Sequence, residues 1–137
     1  MQTDYLFVYG TLRKHNSKSL FNLIESCCVF ETEGYFKGKL YDIGSYVGAV
    51  ISPDTQSKVY GELYKISNTE KVFRILDAFE GCSEQFAKPK EYVRKKIPVI
   101  INDGNPISSW AYLYNRDISK LRLIPSGDYL EHLQANY

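Results

Sequence analysis

One carboxylate in this sequence occupies a position suited to proton transfer. Glu80 belongs to the segment LDAFEG at residues 76–81. At about 100° per residue of a helix, it projects between Phe73 and Leu76, within an apolar stripe. Burial and the negative end of the helix macrodipole would both raise the pKa of this carboxyl group. Such a group is suited to general-base chemistry near neutral pH.

A second segment has the features of an anion-binding turn. VYGTLR at residues 8–13 runs from an apolar strand into Gly10 and then into polar and basic residues. A glycine at a strand end lets the backbone bend sharply, and successive N–H groups in such a turn can converge on a carboxylate or an oxyanion. An ordinary turn is the alternative, and composition alone favours it.

The sequence offers few residues for a disulfide framework, a metal site or a nucleotide-binding motif. Cys27, Cys28 and Cys82 lack CxxC spacing, which argues against a disulfide framework and a thiolate metal site. His15 and His132 have no histidine partner one helical turn away. No Walker loop, GxGxxG, HExxH or EF-hand motif occurs. We therefore expect chemistry without a metal or a cofactor.

The composition is typical of a single soluble domain over residues 1–137. Hydrophobic residues make up 44% and charged residues 24%, with a net charge of +1. A chain of this length can bury a hydrophobic core without stabilisation by disulfides or bound metals. The balanced charge argues against nucleic-acid and membrane partners. The N-terminus lacks the basic and apolar regions of a signal peptide, so we expect a cytoplasmic protein.

A basic cluster at residues 88–96, with Tyr92 inside it, is the one candidate surface for nucleic acid. In a strand, Val93, Ile97 and Val99 would face the core. Most of the charge would then lie on the solvated face, which is the favoured interpretation.

The elements that must position these residues follow from hydrophobic periodicity. Apolar or alternating runs predict six strands, at Tyr5–Tyr9, Tyr35–Ile43, Val47–Ile51, Lys58–Ile66, Tyr92–Ile101 and Ser108–Tyr114. The second, third and fourth are expected to form a meander. In the fourth, Glu62 alternates with apolar neighbours.

Three helices are predicted. The first has an apolar face of Leu20, Phe21, Ile24 and Cys28, and the third is short, at Asp128–Leu133. The second is preceded by a capping box of Ser67 and Glu70 and stops at Gly81. Strands outnumber helices without βαβ alternation, which predicts an α+β fold.

Together these segments resemble the γ-glutamylcyclotransferase-like family, in its AIG2-like or γ-glutamylamine cyclotransferase branch. The resemblance rests on VYGTLR at 8–13, LYDIGSYVGAV at 40–50, GELY at 61–64, LDAFEG at 76–81 and YVR at 92–94. Thr11 and Leu12 fit this branch better than the glutathione-specific one. The resemblance implies a small mixed, mainly antiparallel β-barrel flanked by two or three helices.

For function, the resemblance implies an enzyme that cyclises the γ-glutamyl part of a small γ-glutamyl amine or amino acid to 5-oxoproline and releases the amine. It implies Glu80 as the catalytic general acid/base. The stretch from Gly81 to Tyr92 is longer than the family pattern and offers Glu84 and Glu91 as rival carboxylates. We expect a monomer or weak homodimer. The implied substrate-binding residues are Tyr9, Gly10, Thr11 and Leu12, through their backbone, together with Tyr46 and Tyr92. A non-catalytic small-molecule binding module of the same fold is the alternative.

Overall fold

The computed structural model describes residues 3–10, 22, 26–44, 46–54, 56–79, 92–102 and 104–135. Two helices are described in full, α1 (Thr69–Phe79) and α2 (Tyr129–Ala135), and Asn22, Ser26 and Cys27 are helical as well. The strands are β1 (Tyr5–Val8), β2 (Cys28–Asp42), β3 (Val47–Ile51), β4 (Lys58–Ile66), β5 (Tyr92–Ile101), β6 (Pro106–Tyr114) and β7 (Arg122–Ile124).

Five of the strands close into a barrel. Their order is β2, β4, β1, β6 and β5, and pairing of β5 with β2 completes the circuit. β1 is parallel to β6, and the other neighbouring pairs in the barrel are antiparallel. Closure removes the exposed strand edges that an open sheet would leave. The predicted α+β fold with a mixed, mainly antiparallel barrel is confirmed.

β2 serves both the barrel and a small extension of the sheet. Its first part pairs with β4, and from Gly38 onward it pairs with β3, while β7 lies on its other side. A meander would need β3 to pair with β4, so the predicted meander is wrong. The reason is length, because a strand of 15 residues offers separate pairing segments to β4 and β3. The three-residue β7 was not predicted from the sequence.

The barrel strands separate two hydrophobic cores. The barrel core fills the interior and includes Phe7, Phe36 and Leu63. The helix-facing core lies on the opposite face of the sheet, where Val72 of α1 packs in one cluster with Leu6. Because both faces of β1 are covered, its four residues are apolar throughout, as expected for a buried central strand.

Each described helix begins directly after a polar cap. The Oδ1 atom of Asn68 accepts a hydrogen bond from the N–H of Lys71 at 3.1 Å, so Asn68 caps α1. The predicted capping box at Ser67 is therefore wrong, since the Ser67 hydroxyl donates instead to the Cys27 carbonyl at 2.7 Å. Asp128 caps α2 in the same way as Asn68. Neither described helix is long and apolar enough to cross a membrane.

The segment before β2 follows its prediction except at its C-terminal end. Asn22, Ser26 and Cys27 are helical, as predicted, whereas Cys28, the last residue of the predicted apolar face, is the first residue of β2. Residues 11–21 and 23–25 lie outside the described part of the chain. Cys27 and Cys28 are both buried free thiols. Burial, reinforced by the neighbouring Cys27, raises the pKa of Cys28 to about 12, which makes a poor nucleophile of this thiol.

Candidate active site

Tyr9, which directly follows β1, points its side chain into the barrel core. It is buried, and its hydroxyl donates to the backbone carbonyl of Tyr112 on β6. The same hydroxyl accepts a hydrogen bond from the N–H of Ala49 on β3 at 3.2 Å. The Tyr9 side chain therefore joins β1, β3 and β6, and a ligand contact at this residue would have to come from its backbone.

Gly10 lies against the first residue of β3. A Cβ atom added to Gly10 would sit 3.1 Å from Cγ2 of Val47, closer than ordinary van der Waals contact. Gly10 does not have a positive φ, so its backbone does not require a glycine, whereas an added side chain would require Val47 to shift by a few tenths of an ångström. The next two residues assigned to the substrate, Thr11 and Leu12, lie outside the described residues.

β3 is an edge strand among the strands that the structure describes, and two tyrosine hydroxyls satisfy its outer edge. The Ile43 N–H donates to the Tyr46 carbonyl, and in an antiparallel pair the backbone groups of successive residues point alternately toward and away from the partner strand. The Val47 carbonyl and the Ala49 N–H therefore point away from β2. The Tyr92 hydroxyl donates to the Val47 carbonyl at 2.7 Å, within the buried interior. The Ala49 N–H donates to the Tyr9 hydroxyl. Side chains thus replace the strand that this edge lacks.

Four of the residues predicted to bind substrate are brought together at this edge. Tyr46 is half-buried, directly precedes Val47 and packs against the helix-facing core. Tyr92 lies in that core, with its ring edge-on to Tyr114 at 5.6 Å between centroids. The residues that meet around the start of β3 are Tyr9, Gly10, Tyr46 and Tyr92.

The end of α1 is attached to the barrel through Asp77. Its Oδ1 atom accepts a hydrogen bond from the Tyr112 hydroxyl at 2.6 Å, and its Oδ2 atom lies 3.5 Å from an Nη atom of Arg94. Glu80 follows this helix in the sequence but lies outside the described residues, as do Glu84 and Glu91. The catalytic assignment of Glu80 therefore stays a prediction.

Arg94 is an exception to the expectation that most of the charge of the basic cluster lies on a solvated strand face. Its guanidinium lies over the Phe73 ring of α1, 3.9 Å from the centroid, and its side chain is only 28% exposed. Lys95 and Lys96 are exposed, as expected, and residues 88–91 lie outside the described part of the chain. Arg94 faces α1 because the helix covers the outer face of the barrel at this point.

Glu62 is a buried carboxylate whose environment the sequence did not reveal. It lies opposite Val8 in the β1–β4 register, is 5% exposed, and accepts a hydrogen bond from the Tyr64 hydroxyl at 2.9 Å. Its alternation with apolar neighbours is typical of a strand with one solvated face. β4 instead lies between β1 and β2 and buries residues of both faces.

The described residues contain no group of three or more His, Cys, Asp or Glu side chains that could hold a metal ion. One histidine–carboxylate pair does occur, with Nε2 of His132 on α2 at 3.4 Å from Oδ2 of Asp42 on β2. The expectation of chemistry without a metal or cofactor remains a prediction.

Comparison with known proteins establishes the family. The sequence profile of the family described as gamma-glutamyl cyclotransferase, AIG2-like, matches residues 6–131. This chain belongs to that family. The gamma-glutamylcyclotransferase family protein YtfP of Escherichia coli is 33% identical over 127 residues, covering 92% of this chain and 96% of YtfP. The solution structure of YtfP matches with a TM-score of 0.63.

Two crystal structures match the fold more closely. YkqA from Bacillus subtilis has a TM-score of 0.73 at 26% identity, covering 98% of this chain and 42% of YkqA. An AIG2-like protein from mouse has a TM-score of 0.71 at 23% identity, covering 94% of this chain and 89% of the mouse chain. The predicted family and fold are therefore confirmed.

Proposed function

We propose that this chain is a γ-glutamylcyclotransferase-type enzyme. Its substrate is a small γ-glutamyl amine or γ-glutamyl amino acid, and its products are 5-oxoproline and the free amine. The observation that supports this best is the meeting of three family segments at one edge of the barrel. The Gly10 turn contacts Val47, and Tyr92 donates a hydrogen bond to the carbonyl of that residue.

The reaction forms one C–N bond and breaks another without consuming water. The substrate's α-amino nitrogen attacks its own γ-carbonyl carbon, and the amide nitrogen leaves. The attacking nitrogen loses two protons in becoming a lactam N–H, and the departing amine gains two when it leaves as an ammonium ion. One carboxylate that accepts protons from the first nitrogen and returns them to the second balances the reaction.

Three requirements remain for the protein. It must hold the chain of the substrate in a bent conformation, supply the carboxylate, and stabilise the oxyanion of the tetrahedral intermediate. We assign the carboxylate to Glu80. We assign binding of the glutamyl group and the oxyanion to the backbone around Gly10, a half-buried residue that has no side chain of its own to obstruct a ligand.

Incubation with a panel of γ-glutamyl compounds tests the activity. The panel holds a γ-glutamyl amine, a γ-glutamyl dipeptide and glutathione, with release of 5-oxoproline measured by mass spectrometry. A matched α-glutamyl dipeptide serves as the substrate control, since its second amino acid, the group that would leave, is not attached to the γ-carbonyl. Binding of 5-oxoproline with no turnover of any compound would favour the non-catalytic module.

Three matched variants test the assignment of the base. Glu80→Gln keeps the side-chain volume but cannot accept a proton, so we expect kcat to fall by about 10²- to 10⁴-fold while 5-oxoproline still binds. Glu84→Gln and Glu91→Gln are the controls and should retain activity. An acidic limb in the pH–rate profile, with its midpoint above the roughly 4.3 of free glutamate, is also expected. Equal turnover by Glu80→Gln would place the chemistry on another group.

A further inference from the structure

Tyr112 on β6 connects the two segments to which the proposed function assigns the chemistry. Its backbone carbonyl accepts the hydrogen bond from the Tyr9 hydroxyl, next to Gly10. Its own hydroxyl donates to Oδ1 of Asp77, on the last turn of α1. Tyr112 is 4% exposed and belongs to the helix-facing core. Its contact with Tyr9 is buried, and its contact with Asp77 is partly buried.

The hydroxyl of Tyr112 is the shorter of two polar contacts that hold Asp77. At 2.6 Å it is a short O–H···O⁻ hydrogen bond, whereas Arg94 approaches the other carboxylate oxygen at only 3.5 Å. The Nη1 atom of Arg94 is buried without a hydrogen-bond partner among the described residues. The guanidinium of Arg94 also lies over the ring of Phe73, and the Tyr112 hydroxyl makes the closer polar contact to the carboxylate.

Asp77 lies at an electrostatically unfavourable position in α1. A carboxylate in the last turn of a helix faces the negative end of the macrodipole and is disfavoured there. α1 has no basic residue in its last turn that would compensate. In the sequence, Asp77 is followed three residues later by Glu80. A displacement of the helix end would therefore displace the chain that leads into the proposed base.

We infer that Tyr112 is a positioning residue for the cyclisation. Through its carbonyl it holds Tyr9, which precedes the Gly10 turn assigned to the substrate. Through its hydroxyl it holds Asp77 and the helix end that leads to Glu80. The separation between the two segments is thereby set by one residue of a buried strand. This inference rests on the proposed function. Errors of about 1 Å in such placement can cost about 10²-fold in rate.

Tyr112→Phe tests the inference, because it removes the hydroxyl and keeps the carbonyl that binds Tyr9. We expect kcat to fall by about 10- to 100-fold, with KM within about twofold of the wild-type value. Ser109→Ala on the same strand is the matched control, since it also deletes a buried hydroxyl that donates to a backbone carbonyl, that of Ile107 at 2.9 Å. It should leave kcat unchanged.

Two variants of Asp77 provide the rescue test. Asp77→Asn keeps an oxygen that accepts from Tyr112 and should retain most of the activity, whereas Asp77→Leu, which also removes the Arg94 contact, should lose at least as much as Tyr112→Phe. Combining Asp77→Leu with Tyr112→Phe should cost little more than Asp77→Leu alone, because that change already breaks the Tyr112 contact. Additive losses in the double variant, or kcat within twofold of wild type in Tyr112→Phe, would overturn the inference.

Hydrogen exchange separates this inference from the proposed function. The amides of residues 74–79 should exchange about tenfold faster in Tyr112→Phe than in the wild-type chain or in Ser109→Ala. If the wild-type chain releases no 5-oxoproline, the proposed function fails. Unchanged exchange in Tyr112→Phe, in an active or an inactive chain, would show that Tyr112 does not hold the end of α1.

Discussion

Tyr92→Phe isolates the hydrogen bond that satisfies the outer edge of β3. The substitution removes one oxygen and keeps the ring that packs against Tyr114. It leaves the Val47 carbonyl, previously bonded at 2.7 Å, without that donor in a buried environment. The geometry of β3 places this carbonyl on the edge that faces away from β2, where none of the described strands pairs with it.

The expected magnitude follows from the burial of both partners. Removing one partner of a buried hydrogen bond costs about 1–3 kcal/mol in the free energy of unfolding. For a chain of this length, about 4 °C per kcal/mol gives a decrease in Tm of roughly 4–12 °C. Val47 also forms the wall against Gly10. If its displacement weakens substrate binding by about 1 kcal/mol, KM rises roughly fivefold.

Urea unfolding followed by circular dichroism measures the first effect, and the 5-oxoproline assay measures the second. The midpoint should fall with an unchanged m-value, since the folded surface stays the same. Ser109→Ala is again the control, because it should lose stability without a change in KM. Stability within about 0.5 kcal/mol of wild type would refute the energetic reasoning. Lost stability with an unaltered KM would show that the β3 edge does not affect substrate binding.

Three further predictions concern the substrate turn, metals and the buried thiols. Gly10→Val should abolish 5-oxoproline binding in calorimetry, and Gly10→Ala should weaken it, because a Cβ would lie 3.1 Å from Cγ2 of Val47; unchanged affinity would place the pocket elsewhere. Exhaustive chelation with EDTA should leave turnover intact, whereas a loss that a divalent ion restores would contradict the metal-free chemistry. Cys28 should resist alkylation at pH 8 in the native chain but react in urea, as followed by mass spectrometry. The pKa of the Cys28 thiol is about 12 in the folded chain, above the ordinary 9.0. The contribution of this thiol to stability is therefore present below pH 9 and is lost as the pH rises toward 12. A urea midpoint that stays constant over this interval would count against the raised pKa.

Local pattern accounts for much of the fold. The bounds predicted for β3, β4 and β5 agree with the structure residue for residue. These strands are bounded by turn residues and have clear apolar or alternating runs, which depend only on neighbours in the sequence. The errors occur where a distant partner decided the outcome. Cys28 begins a strand because it pairs with Ile66 of β4, and Ser67 is unavailable as a cap because it bonds Cys27.

The sequence by itself determined the strand-rich α+β class, the family motifs and therefore the kind of chemistry to expect. Only the tertiary structure decided how those motifs are connected. The Tyr9 hydroxyl meets the Tyr112 carbonyl across 103 residues, and the Tyr92 hydroxyl meets the Val47 carbonyl across 45. Periodicity reports which face of an element is buried, but not which buried donor finds which acceptor. That choice depends on barrel closure and register, since a shift of one residue would turn each of these side chains to the other face of the sheet.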